Sequence, residues 1–380
     1  MRIDIDYDPS RIAGNKKRWD AAFALSVADR PPVSWGAAPR LMLGRRGSNF
    51  HKFFDDPVDQ LTELVLNYKW QVENLPGDLV TDLNLTIQPQ FENASNANAF
   101  GSPTLWGDTE PPQAMRAVES IDQVVAFRPP AMETTLWGRM IEYYHAMKRW
   151  LDDGNIEITM RGEPVRIDLQ LHTGGESPFC IATDLIGSDI YQWILEYPDE
   201  MLRFFEITTD HVLSVERDMR EIAGLPAKGR WFLTDDTAQI ISAEDYREFV
   251  VPFSGRIYDE LTSKREERIM HLCGRHVHLY DALVNDLRIA GIWGMGSPNK
   301  PEEVRDGIGG KIWMIGNLDP VLLCSGPREH IVAETRRLLD ALLPCGGLIV
   351  GDGYNLVPET PIENLQLVVD TVREYCGAAV

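Results

Sequence analysis

From Arg268 to Tyr354 the chain repeats one pattern: a short apolar run ending in glycine or a polar side chain, followed by helix-forming sequence. The runs are Arg268–Gly274, Gly291–Gly296, Lys311–Asp319 and Leu348–Tyr354. Short apolar runs separated by helical stretches read as buried parallel strands with crossover helices. Four earlier candidates extend the series: Pro32–Gly36, Leu79–Leu85, Val165–His172 and Arg230–Asp236. Alternation sustained through eight units predicts an α/β chain closed as a single (β/α)8 TIM barrel over residues 1–380, rather than an open sheet. In such a barrel the chemistry sits at the carboxyl ends of the strands.

Helices are expected at Asp56–Trp70, where Leu61, Leu64, Val65 and Tyr68 share one face, and at Thr135–Leu151 and Asp189–Arg217. Ala243–Lys264, Val277–Ala290, Pro301–Gly307, Pro327–Leu343 and Ile362–Tyr375 follow. An insertion at 86–166, between the second and third strands, breaks the rhythm. It begins with a polar loop from Thr86 to Gln113, long enough to act as a lid. Phe91, Phe100 and Trp106 argue that this loop is ordered. A hairpin, Ile156–Met160 turning back through Arg161-Gly-Glu-Pro, then feeds the third strand.

The formal charge of −21, from 58 acidic against 37 basic residues, argues against a nucleic-acid partner, which is held by Lys and Arg on phosphate. Met1–Asp8 lacks the apolar core of a signal peptide, and no uncharged run approaches the ~18 residues of a membrane span. Cysteines 180, 273, 324, 345 and 376 are odd in number and irregularly spaced, as for reduced thiols. A soluble cytoplasmic protein with no membrane or nucleic-acid partner is expected.

His271 and Cys273 lie two apart on one strand, so their side chains point to the same side. Thiolate with imidazole suits zinc. Two ligands do not complete a site, and a buried histidine beside an inert core thiol explains the pair equally. Asp235 and Asp236 close the fourth strand, and neighbours there cannot both face the mouth. Asp82 sits inside the apolar second strand, where an unpaired charge is costly. The candidate catalytic residues are therefore Asp82, Asp236 and Tyr354. Trp35, Asn84, His172, Asp235 and Asn317 are the candidate substrate contacts, with Glu176 beside Thr173-Gly-Gly as a further wall residue. His276 and His278 read as surface or capping residues.

Several motifs occur together in order: Asp235-Asp236 with Ser242-Ala-Glu-Asp-Tyr-Arg-Glu-Phe-Val-Val-Pro252, His271-Leu-Cys-Gly274, Gly316-Asn-Leu-Asp-Pro320, Gly346-Gly347 and Pro358–Asn364. The set resembles the uroporphyrinogen decarboxylase superfamily over nearly the whole chain. The resemblance implies a (β/α)8 barrel with its site in the mouth, assembled as a homodimer. The sequence leans away from the porphyrinogen decarboxylases. Ser34–Leu41 keeps one arginine, Arg40, where those enzymes carry an arginine-rich signature. Asp184 stands where they have tyrosine, and Gly351-Asp-Gly-Tyr354 where they have Gly-His-Gly. Asp82 matches their catalytic aspartate, which keeps a metal-free decarboxylase as the alternative.

The chain is more similar to the methyltransferase branch, which moves a methyl group between a small O- or N-methylated substrate, or a thiol, and a corrinoid protein. That resemblance implies zinc held by His271 and Cys273. The branch's third ligand is a cysteine, and its position falls on Tyr354. Cys345 is expected at the far end of that strand, which leaves Glu176 or Tyr354 as oxygen ligands. An oxygen-bearing site would suit demethylation of an ether or amine. A barrel that binds without catalysing is the third reading.

Overall fold

The computed structural model describes residues 1–377. Five strands, Trp231–Thr234, Arg268–His271, Gly291–Met295, Trp313–Leu318 and Leu348–Asp352, form one parallel sheet in which spatial order follows chain order. The last two are buried at every residue. Such strands must be covered on both faces, which is why they read as continuous apolar runs. Helices supply one cover, as where Arg328–Leu342 packs on the Trp313–Leu318 strand. Inside, Ile269, Trp313, Ile315 and Ile349 pack with Ala22, Trp19 and Phe23 of the Ile12–Phe23 helix. This apolar layer lies two residues below His271, so the helix plugs the amino-terminal side and leaves the carboxyl ends for function.

Single bridges continue both sheet edges. Val33 pairs with Val350, and Ser34 N–H donates to the Val350 carbonyl at 2.9 Å. Glu176 pairs with Thr234, and Ser177 N–H donates to the Thr234 carbonyl at 3.0 Å. A separate parallel pair joins Asn84–Ile87 to Arg166–Leu169. Pro32–Gly36, expected as a strand, is reduced to the Val33 bridge because Pro31 and Pro32 have no N–H to donate. The second expected strand begins at Asn84 rather than Leu79. Asp82 accepts the Asn84 N–H at 2.8 Å in a tight Asx turn that holds the preceding chain out of the ladder.

Proline also cuts two expected helices. Asp189–Arg217 becomes Ile190–Glu196 and Pro198–Ala223, and Ala243–Lys264 becomes Ala243–Phe249 and Val251–Leu261. Val277–Ala290 is a 3₁₀ turn at Val277–Leu279 followed by a π-helical turn at Ala282–Asp286. Arg2–Ile5, given no element from sequence, adds parallel to Glu157–Met160, the first arm of the expected hairpin. Residues 86–113 are ordered. They carry the Ala94–Asn98 helix and the Thr104–Leu105/Gln113–Ala114 ladder, with Phe91 and Phe100 buried. Trp106 packs edge-on against Phe54 and Phe91. Among the described residues no helix is long and apolar enough to cross a membrane.

Candidate metal centre

His271 ends its strand, and Cys273 sits two residues past it, entering a turn that Gly274 makes at φ +65°. The imidazole Nδ1 lies 2.7 Å from the Trp293 carbonyl, which can only accept. Nδ1 therefore carries the proton, and the Nε2 lone pair faces Cys273 Sγ at 3.2 Å and Asp236 Oδ1 at 3.6 Å. The Trp293 carbonyl turns toward the ring because the Gly291–Met295 strand bulges. Its register shifts between Ile292 and Met295, and Gly294 takes φ +71°. Asp236 is fixed in turn, because its Oδ1 accepts the Cys273 N–H at 2.6 Å.

The ligand atoms of Asp236, His271 and Cys273 lie within 4.8 Å of one another. Tetrahedral zinc, with bonds of about 2.0–2.1 Å to nitrogen and 2.3 Å to sulfur, places nitrogen about 3.5 Å from sulfur and about 3.4 Å from a carboxylate oxygen. The observed 3.2 and 3.6 Å fit that geometry, and a three-residue set leaves a fourth position for chemistry. Burial and the neighbouring Asp236 carboxylate push the Cys273 thiol pKa up, so a cation between them is what would favour thiolate.

Beside this centre opens a cavity of about 530 Å³, lined by Glu176, Cys180, Asp184, Thr234, Asp236 and Thr237 on one side. Glu92–Ala94, Pro111–Ala114, Asn355 and Leu356 face them, so residues of the 86–113 segment form part of its wall. Glu176 is buried at 8% exposure, and burial with the charges of Asp184 and Asp236 pushes its pKa well up. Burial raises Asp184 to about 6.

Residues 93–375 match the model of the uroporphyrinogen decarboxylase (URO-D) family. The chain belongs to that family.

Relatives of this chain include methyltransferases and decarboxylases. It is 26% identical over 221 residues to the methylcobamide:CoM methyltransferase MtaA of Methanosarcina barkeri, over 56% of this chain and 60% of that enzyme. It is 25% identical over 336 residues to a methylated-thiol–coenzyme M methyltransferase of Methanosarcina mazei, covering 84% of each. It is 29% identical over 211 residues to a uroporphyrinogen decarboxylase of an Azoarcus species, over 52% of this chain and 56% of that enzyme. The chain thus spans 60% and 56% of the lengths of MtaA and the Azoarcus decarboxylase. A solved methyltransferase from Methanosarcina mazei shares the fold, with a TM-score of 0.66 at 18% identity over 95% of this chain and 98% of that one.

Several residues singled out from sequence stand elsewhere in this URO-D member. Asp82 and Asn84 are exposed at the amino end of their strand, away from the carboxyl ends where the candidate metal ligands gather. Trp35 is buried and donates its indole N–H to the Pro76 carbonyl at 2.6 Å. His172 Nδ1 pairs with Glu216 at 2.8 Å, and the same carboxylate binds Arg220 and the Thr173 N–H. Asp235 is fully buried and accepts the Tyr246 hydroxyl at 2.7 Å, and burial lifts its pKa to about 7. Asn317 borders a separate cavity of about 240 Å³ and donates to the Gly296 and Asn299 carbonyls.

Tyr354 lies near Cys273, but Gly274 and Ser297 engage its hydroxyl. Glu176 lines the cavity without joining the three-residue cluster. The third converging donor is Asp236. Cys345 sits against the Ala341 carbonyl at the far end of its strand, as expected. His276 is fully buried rather than superficial, and its N–H donates to Asn299. The side chain of Arg40 lies outside the described residues. Sequence reasoning missed Trp293 and Asn299, because no local signal marks a strand bulge or a buried amide that ties two turns.

Proposed function

We propose that this URO-D family member is a zinc-dependent methyltransferase. It moves a methyl group between a small O- or N-methylated substrate, or a thiol, and a corrinoid carried by a partner protein. The observation that carries this reading is the convergence of His271 Nε2, Cys273 Sγ and Asp236 Oδ1 at the carboxyl ends of adjacent strands, beside a cavity large enough for a small substrate. Resemblance to the two Methanosarcina methyltransferases supports the reaction class. We also read the strands as one (β/α)8 barrel over the whole chain, continued through the Val33 and Glu176 bridges, with the 86–113 segment as lid.

In this mechanism His271, Cys273 and Asp236 hold the metal. When bound, it acts as a Lewis acid on the heteroatom that gives up or receives the methyl group. The Trp293 carbonyl keeps the His271 proton on Nδ1 and aims Nε2. Asp236 holds the Cys273 backbone as well as offering its own oxygen. The 86–113 wall shields the cavity from water. A decarboxylase working through Asp82 finds no support in the position of that residue.

Elemental analysis of the purified protein tests the metal. About one zinc per chain is expected, with His271→Ala and Asp236→Ala each losing it together with methyl transfer from methylcobalamin. Less than about 0.2 zinc per chain, unchanged by His271→Ala, refutes the reading.

A further inference from the structure

The described lining of the cavity beside His271, Cys273 and Asp236 is acidic. Among its described lining residues are Glu176, Asp184 and Asp236, and no Lys, Arg or His. Glu176 is the most constrained of these. It is 8% exposed; the Asn96 side chain hydrogen-bonds its carboxylate, and Oε2 is left without a partner among the described residues. A buried carboxylate oxygen without a donor costs free energy unless a ligand supplies charge or a hydrogen bond. Glu176 and Asp184 join no cluster of three metal-ligating atoms among the described residues.

An aromatic ring packs on Gly175, the residue before Glu176. Phe232 packs so tightly on Gly175 that a Cβ there would meet its ring at 2.5 Å. Trp293 packs edge-on against Phe232 at 5.6 Å and lies 5.3 Å from the His271 ring. Yet Trp293 remains 40% exposed within an otherwise buried strand. Trp293 reaches the cavity's edge through His271, whose Nε2 lies 3.6 Å from the lining residue Asp236. An accessible indole beside an acidic cavity is a combination that holds alkylated ammonium groups, through cation–π attraction and charge. Burial holds both the Glu176 and Asp184 pKa values up, with the charges of Asp184 and Asp236 adding to it at Glu176, and a cation would favour the ionised forms. The chain's net charge of −21 draws cations toward it.

We propose, resting on the methyl-transfer reading, that the substrate is a methylated ammonium cation, with its charge on Glu176 and Asp184 and its methyl groups against Trp293.

Calorimetry on the zinc-loaded protein tests this with choline, tetramethylammonium and 3,3-dimethylbutan-1-ol, the neutral isostere of choline. Choline should bind at least about tenfold tighter than the isostere. Glu176→Gln should abolish most of that preference while leaving isostere binding and zinc content unchanged. Asp184→Asn, at a less buried position, gives the same readout if Glu176→Gln does not fold. Equal affinity for choline and its isostere overturns the proposal, as does tighter binding of a methoxybenzoate anion than of either cation. Either result with zinc and methyl transfer intact leaves the enzyme reading standing. Absence of zinc fails that reading on its own, whatever binds.

Discussion

Gly294→Ala puts the orientation of His271 to the test. A Cβ at Gly294 would lie 2.6 Å from both Cε1 and Nδ1 of that ring. Comfortable carbon contacts begin near ~3.5 Å, so the ring must retreat by roughly 1 Å. The Nδ1 bond to the Trp293 carbonyl, 2.7 Å long, would then exceed hydrogen-bonding range. Losing such a supporting partner costs about 10- to 100-fold in metal affinity, or about 1.4–2.7 kcal/mol. The substitution carries a second cost, because Gly294 holds φ +71°, where an alanine is strained by about 1–2 kcal/mol. Gly154→Ala separates the two effects. Gly154 has φ +70°, but its Cβ would meet nothing within 4 Å. Thermal melts should show both variants losing stability, Gly154→Ala by the backbone strain alone. Competition with a chromophoric zinc chelator should show only Gly294→Ala losing affinity. Equal zinc affinity in wild type and Gly294→Ala, within about twofold, would refute the orientation argument.

Other expectations follow from single sites. Burial lifts the Asp352 pKa from 3.8 to about 6, although its Oδ1 accepts the Gly36 N–H at 2.7 Å. The folded value lies above the unfolded one, so its contribution is present below about pH 4 and is lost as pH rises through 6, on the order of 3 kcal/mol. Asp352→Asn should remove that much pH dependence from urea unfolding between pH 4 and 7. Asn299 is fully buried and donates to the Gly274 carbonyl at 2.7 Å and the Gly296 carbonyl at 2.9 Å, while accepting the His276 N–H at 3.0 Å. Asn299→Ala should cost about 2–4 kcal/mol in denaturant unfolding, and a loss below about 0.5 kcal/mol would contradict its bracing role. Asp82→Asn should change methyl transfer by less than about twofold, and a hundredfold loss would restore that aspartate to the chemistry.

Much of the fold was legible because its determinants are local. The Ile362–Tyr375 helix has its expected bounds, and the strands from Trp231 to Asp352 fall within the runs read from sequence. Apolar periodicity reports burial, and capping residues such as Ser242 and Asp319 act within three residues of their own position. The errors were also local. Prolines at 198 and 252 end helical turns that hydrophobic periodicity alone would continue. At Asp82 an Asx turn outcompetes a strand that its apolar neighbours favoured.

For the site, the two-residue spacing of His271 and Cys273 was enough to put both side chains together, since pleating alone sets that direction. What completes the donor set was not readable along the chain. Adjacent Asp235 and Asp236 differ only in the turn that sends one to Tyr246 and the other to Cys273. The choice of Asp236 over Tyr354 or Glu176, and the Trp293 carbonyl that aims the imidazole, depend on parallel register between strands tens of residues apart and on one bulge. Periodicity and pleat are carried by neighbours in sequence, so the sequence by itself determined the strands and the paired ligands. Convergence of atoms from separate strands is set by how those strands pack, and only the tertiary structure decided it.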